Sequence, residues 1–382
     1  MSSIKLGIDN IDKYIDDLFK NKRIGLITNQ TGVDSNLNST IDLFNEKTNL
    51  VALYSPEHGI RGDIQAGEKV NNYIDEKTEL NVYSLYGKNK RPSHEVLKNI
   101  DILVFDIQDV GSRFYTYLYT MAYAMESCKK FNKVFTVLDR PNPIGGEEVE
   151  GNILDVNYKS FIGLYPITQR YGLTIGELAI LFNEEFRIGC NLKVIKMEGW
   201  SRHMYFQDTK LPWIMPSPNM PTIDTALVYN GTCVFEGTNI SEGRGTTKPF
   251  QIIGAPWLNP YKIAEEMNEI MLPGVKFRPI YFTPTFSKYT DVLCRGVEIH
   301  VTDIKKFKPV ITGISLLYKI KEVSKDKFEF TPPYIKNGKQ MIDYNTGGSY
   351  IRENKITLEE INLMWKEDAM KFKKIKEKYH VY

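Results

Sequence analysis

Several short stretches of the chain concentrate residue types that do acid–base chemistry or grip polar ligands. In LYSPEHGIRGDIQAGEKV (53–70) an apolar run stops at Pro56 and is followed at once by Glu57, His58 and Gly59. A carboxyl next to an imidazole is either a general acid with a group that tunes it, or a polar pair closing a turn. Asp106 and Asp109 stand three residues apart in FDIQDVGSR (105–113). Carboxylates at that position either act on a ligand or satisfy the first backbone donors of a following helix. LDRPNP (138–143) offers Asp139, Arg140 and Asn142 in a loop stiffened by Pro141 and Pro143. EGTNISEGRGTTKPF (236–250) carries Glu236, Asn239, Glu242 and Arg244, the arginine set between two glycines. There it is either a bidentate clamp for an anion or part of a flexible turn. The candidate catalytic groups are therefore Glu57, His58, Asp106 and Asp109. The candidate substrate contacts are Asn29, Gln30, Arg113, Tyr115, Asp139, Arg140, Asn142, Asn219, Glu236, Asn239, Glu242 and Arg244.

Other chemistries lack their spacing. Histidines 58, 94, 203, 300 and 380 include no HxH or HxxxH pair, so a histidine metal site is not expected. Carboxylate ligation of Mg²⁺ or Ca²⁺ by Glu57, Asp106 and Asp109 is the remaining metal option, and the reading made here needs neither metal nor cofactor. GxSxG, GxxxxGK[ST] and a GxGxxG after the first strand are all absent. Cys128, Cys190, Cys233 and Cys294 form no CxxC pair and read as small buried hydrophobes. With 49 Lys and Arg against 47 Asp and Glu, a formal net charge of +2, nothing calls for nucleic acid or an anionic membrane as partner.

What must position these groups is an α/β frame. RIGLITN (23–29), LVALYS (50–55), LNVYSLY (80–86), DILVFDIQ (101–108), KVFTVLD (133–139) and LKVIKM (192–197) read as strands. The fourth and fifth are continuous and β-branched, as strands buried on both faces require. Helices are expected over 39–47, 93–100, 114–130 and 174–186, the last with Thr174 as cap and Glu177 at the capping-box position. TALVYNGTCVFE (225–236) is expected to be a further strand. The rhythm predicts a Rossmann-like, mostly parallel sheet with helices on both faces. Beyond residue 255 the texture changes, with helices over 263–271 and 312–322, an alternating strand at 295–303 and a long amphipathic terminal helix. At 382 residues two domains are expected, 1–255 and a smaller α+β unit, 256–382, that closes the cleft. In such a sheet ligands lie beyond the carboxyl ends of the strands, and the candidate loops follow five predicted strands. The Pro-rich PWIMPSPNMPT (212–222), presenting Trp213 and Asn219, is either a rigid linker or a wall for a sugar ring.

Taken in order, LITNQTGVD, YSPEHGIRGDIQAGEKV, FDIQDVGSRFYTY, LDRPNPIGG, PWIMPSPNMPTIDTALVYNGTCVFEGTNISEGRGTTKPF and YFTPTFSKY resemble the exo-β-N-acetylmuramidase family, over nearly the whole chain. The resemblance implies release of terminal, non-reducing N-acetylmuramic acid from peptidoglycan fragments, a cleft between a Rossmann-like domain and a smaller one, and a catalytic carboxyl at Glu57. Glycoside hydrolysis ordinarily needs a second group, for which Asp106, Asp109, Asp139, Glu236 and Glu242 are candidates, unless the substrate's 2-acetamido oxygen attacks. Arg113, Arg140 and Arg244 are candidates for the lactyl carboxylate. The competing readings are a carboxylate-metal hydrolase on the same sheet and a non-catalytic module binding cell-wall sugars. With neither a signal-like leader nor a span of ~20 apolar residues, the chain as it stands is expected in the cytoplasm, or outside the cell if a leader was removed.

Overall fold

A computed structural model describes residues 4–62, 71–87 and 90–382. Six strands run parallel: β1 (Arg23–Thr28), β2 (Asn49–Ser55), β4 (Asn81–Ser84), β5 (Ile102–Asp106), β6 (Val134–Leu138) and β7 (Asn191–Ile195). The two-residue β3 (Tyr73–Ile74) joins β4 antiparallel at one edge. The spatial order β4-β2-β1-β5-β6-β7 is that of a doubly wound sheet whose switch point lies between β1 and β5. β5 is buried at every position and β1 and β6 nearly so, which the continuous apolar runs anticipate, whereas edge strand β7 alternates. Around the sheet lie α1 (Thr40–Lys47), α2 (His94–Leu97), α3 (Tyr117–Lys130), α4 (Ile175–Glu184) and α5 (Phe206–Thr209). The capping box expected at α4 is formed by Thr174 and Glu177.

α6 (Ile223–Thr232) and a 3₁₀ turn over Cys233–Gly237 occupy the segment expected to be a strand. A short apolar run has no periodicity that separates a buried strand from a buried helix. Here Thr222 decides, its hydroxyl accepting from the Thr225 amide as an N-cap. From Thr225 on the helix is buried because it crosses α8 (Pro309–Val323) at backbone contact. A Cβ on Gly231 would stand 1.9 Å from the Pro309 carbonyl, and one on Gly313 2.0 Å from that of Gly231. The second sheet has antiparallel order β8-β10-β9, from β8 (Ile252–Ala255), β9 (Val275–Phe282) and β10 (Cys294–Val301). With it go α7 (Pro260–Glu269), α8 (Pro309–Val323), α9 (Met341–Thr346) and α10 (Leu358–Lys376). All four cysteines are buried and unbridged. Among the described residues no helix is long and apolar enough to cross a membrane.

At the switch point Thr28 faces Asp106 in register. The fully buried Asp106 carboxylate takes a bidentate pair from Arg140, 2.6 Å to Nε and 2.8 Å to Nη2, and a 2.5 Å bond from the Thr40 hydroxyl at the start of α1. Arg140 also donates to the Val33 carbonyl at 2.8 Å. The crevice where this fold usually takes a ligand is therefore filled by the protein's own ion pair. Asp139 likewise faces inward, accepting from the Gly176 amide, the Thr174 hydroxyl and the Tyr382 phenol. Burial pushes its pKa up to about 6 against those three donors.

Removing one member of a buried pair strands the other charge. Arg140→Ala is therefore expected to cost about 3–5 kcal/mol in urea unfolding. A loss below about 1 kcal/mol would show that the pair is not the fastener of this edge.

Candidate active site

The chain leaves β2 through Ser55 and Pro56 and at once presents Glu57 and His58 to a cavity of about 360 Å³. His58 sits at φ +74°, a left-handed backbone that L side chains rarely hold. Such strain, of order 1–3 kcal/mol, persists where surrounding structure imposes it and clusters at functional sites. The Glu57 carboxylate accepts a 2.8 Å bond from the Thr116 hydroxyl, and the Tyr86 phenol bonds to it as well. Burial, and then the Glu57 charge, raises the Tyr86 pKa, so the phenol remains a donor.

The facing wall comes from the segment after α6. Arg244 lies between Gly243 and Gly245, both at φ +78°. A side chain on Gly245 would meet the Phe286 backbone at 2.5 Å, so this bend admits only glycine. Arg244 reaches Glu236 at 2.5 Å and Glu242 at 3.3 Å. Burial opposes its charge, but the two carboxylates outweigh burial and keep the guanidinium protonated. Lys288, from the loop joining β9 to β10, donates to Glu242 at 2.9 Å and to the carbonyls of Phe235 and Ile240. That loop is pinned by Thr285, whose amide and hydroxyl both donate to the Gly245 carbonyl. Two carboxylates and two cations thus form a closed cluster opposite Glu57.

Between the walls lies a floor of aromatic rings. Tyr115 meets Tyr117 and Tyr229 edge-on, and Tyr229 meets Phe250 in the same way at 4.7 Å. The Tyr115 hydroxyl donates to Ser217 at 2.8 Å, fixing the loop that brings Ser217, Asn219 and Met220 to the cavity.

Of the residues singled out from sequence, Glu57, His58, Tyr115, Asn219, Glu236, Glu242 and Arg244 line this cavity. The others lie outside its lining, each with partners that account for it. Asp106, Arg140 and Asp139 hold the sheet edge as described. Asp109 accepts from the Gly111 amide and the Tyr171 phenol, and burial pushes its pKa up to about 6 against those donors. Arg113 is fully buried, donates to the carbonyls of Asn152, Ile167 and Asn345, and is driven down to a pKa of about 10 by that burial. Asn29 and Gln30 donate to the carbonyls of Pro216 and Met215, and so hold the Pro-rich loop from below. Asn142 bridges the Leu173 carbonyl and the Ile144 amide. Asn239 bridges the Lys327 carbonyl and the Glu329 amide. Trp213 turns back into its own loop, donating to the Met220 carbonyl and packing on Phe206. Arg61 pairs with Asp75 at 2.7 Å, while Asp63 and Glu68 lie outside the described residues.

Sequence reasoning did not single out Thr116, Tyr86, Ser217 or Lys288. Lys288 had a signal available, a lysine inside YFTPTFSKY, but nothing local says that this loop folds back 40 residues onto Gly245.

Comparison with known proteins agrees across the full length. The family described as exo-β-N-acetylmuramidase NamZ matches in two parts, its N-terminal domain over residues 24–224 and its C-terminal domain over 227–382. The peptidoglycan β-N-acetylmuramidase NamZ of Bacillus subtilis (strain 168) is 51% identical over 384 residues, covering 99% of this chain and 91% of that protein. Two crystal structures of DUF1343 family proteins from Bacteroides fragilis superpose with TM-scores of 0.91 and 0.80, at 40% and 33% identity, over 100% of this chain and 99% of each of theirs. The chain accordingly belongs to the exo-β-N-acetylmuramidase family, with that family's two-domain architecture.

Proposed function

We propose that this glycoside hydrolase removes terminal, non-reducing N-acetylmuramic acid from peptidoglycan fragments, cleaving its β-1,4 bond to N-acetylglucosamine with Glu57 as general acid. The observation that carries the assignment of roles is the placement of carboxylates on two walls of one cavity. Glu57, at the end of β2, accepts from the Thr116 and Tyr86 hydroxyls, and the facing wall holds Glu236 and Glu242 with Arg244 and Lys288. Two carboxyl groups flanking one space is the arrangement glycoside hydrolysis ordinarily uses. In the proposed step the Glu57 proton passes to the glycosidic oxygen as the bond from C1 to that oxygen breaks. An oxygen, from water or from the 2-acetamido group, bonds to C1. In this reading Glu236, whose Oε1 accepts from Arg244, activates that water or orients that acetamido group.

Glu57→Gln keeps the shape but loses the proton. It is expected to lower kcat on the natural disaccharide by about 10²–10⁴-fold, the usual worth of a positioned acid. On a nitrophenyl muramide, whose leaving group departs without protonation, the loss should be much smaller. Equal losses on the two substrates would reject the acid role.

Of the three arginines considered for the lactyl carboxylate, Arg244 is the one in the cavity lining, and its Nη1 takes no part in the two ion pairs given above. We assign it that role. Arg244→Ala should reduce kcat/KM on an aryl muramide at least about tenfold more than on the matching glucosaminide, since a lost charge-assisted contact discriminates only against the substrate that made it. Parallel losses would leave Arg244 as no more than a brace for Glu236 and Glu242.

A further inference from the structure

The cavity does not end at its mouth. Ile162, Tyr334 and Met341, which line it, also line an adjoining apolar depression of about 220 Å³ together with Phe161 and Ile335. Tyr334 and Ile335 are 77% and 75% exposed there, a high value for large apolar side chains beside a polar site. The depression shares Gly338 and Lys339 with a third hollow, of about 410 Å³, whose lining is polar. Lys339 stands over the Tyr158 ring at 3.7 Å, and Arg352 clasps Asp343 in a bidentate pair, Nε to Oδ1 and Nη2 to Oδ2. Shared lining residues set these three spaces side by side, in order from Glu57 to Lys339.

We propose that this path holds the leaving side of the substrate glycan: the N-acetylglucosamine next to the scissile bond over the Phe161 to Tyr334 depression, and the following N-acetylmuramic acid at the polar hollow with its lactyl carboxylate toward Lys339. The inference rests on the function proposed above and deepens it into a preference for longer chains. Its chemistry follows the alternation of the polymer. The neutral sugar presents C–H faces that pack on apolar and aromatic side chains, and the acidic sugar meets a cation two rings away. Phe161 is itself fixed in place, parallel to Tyr123 with an interplanar angle of 3° and with the Lys90 ammonium 4.0 Å from its ring centroid. An exo-acting enzyme needs such a path, because everything beyond the terminal sugar must leave through the mouth of the cavity.

The test compares a peptide-free disaccharide and tetrasaccharide, each with non-reducing N-acetylmuramic acid, for native protein, Ile335→Ser, Lys339→Ala and Lys339→Arg. Native kcat/KM is expected at least about fivefold higher on the tetrasaccharide. Lys339→Ala should remove most of that advantage by raising KM on the tetrasaccharide at least about fivefold more than on the disaccharide, and Lys339→Arg should restore it. Ile335→Ser should weaken both substrates through KM. Titration of the folded Glu57→Gln protein with uncleaved tetrasaccharide reads the groove without turnover and should show the same loss for Glu57→Gln combined with Lys339→Ala. Equal native kcat/KM on the two substrates, or equal losses in Lys339→Ala, would overturn the groove while leaving the proposed function standing. Native hydrolysis of neither substrate would overturn that function, and the groove with it.

Discussion

The geometry of the site depends on the buried ion pair between Asp106 and Arg140. In a doubly wound sheet the strands on either side of the switch point diverge, and the gap beyond their carboxyl ends is where a ligand ordinarily lies. Here that gap is closed from within, because Asp106 ends β5, Arg140 follows β6, Thr40 starts α1 and Val33 belongs to the loop after β1. One pair ties four segments. A buried pair of this kind adds little net stability by itself, but it strongly penalises any arrangement that separates its members. The chain therefore has one way to close this edge, and the near wall of the cavity forms farther along, where Glu57 follows β2 and Tyr86 follows β4. From the closed edge Asn29 and Gln30 reach forward to hold Pro216 and Met215, while Tyr117 donates to the Pro216 carbonyl at 2.6 Å. The pair thus acts on the cavity at second hand, by fixing the loop that carries Ser217 and Asn219.

The opposite wall is fastened by a different kind of constraint. Gly243 and Gly245 let the chain bend tightly enough to aim Arg244 inward, and the Gly245 carbonyl then anchors the β9–β10 loop that delivers Lys288. Ser287, Tyr289 and Asp291 in that loop all have positive φ, a concentration of unfavourable backbone that the three donations of Lys288 to Phe235, Ile240 and Glu242 help to hold. His58 shows the same bargain on the near wall. Strain on both sides of one cavity, each imposed by surrounding structure, is the pattern expected where positions are selected for chemistry and not for stability.

Much of this was legible in the sequence, and what was not has identifiable causes. The parallel strands announced themselves as continuous apolar runs, and Thr174 with Glu177 announced the start of α4. The segment 225–236 did not, since its burial comes from contact with α8, which only the fold creates. Rule-based convergence of strand-end loops found the right edge of the sheet but could not rank its residues. Asp106, Asp139 and Arg140 have the same residue types and loop positions as Glu57 and Arg244. Only the path of each side chain shows that the former face inward and the latter a cavity. Arg113 illustrates the limit best. Beside a glycine and a serine in a polar loop it has the composition of a ligand clamp, yet its two terminal nitrogens donate to three carbonyls of the interior, two of them more than 50 residues away in the chain.

The charge balance of the cavity links substrate choice to the chemistry proposed. Glu236 and Glu242 are matched by Arg244 and Lys288, and the charge of Glu57 is felt by Lys90, whose own pKa is lowered by burial and partly restored by that carboxylate. A muramic acid residue brings a further negative charge to this cavity, and a carboxylate taken out of water without a cation beside it is costly. Arg244, shared between Glu236 and Glu242, is the cation the lactyl group would meet, so the glycine-bounded bend that aims it inward would serve substrate choice as well as the bracing of those two carboxylates. A glucosamine residue carries no such charge and gains nothing from that contact.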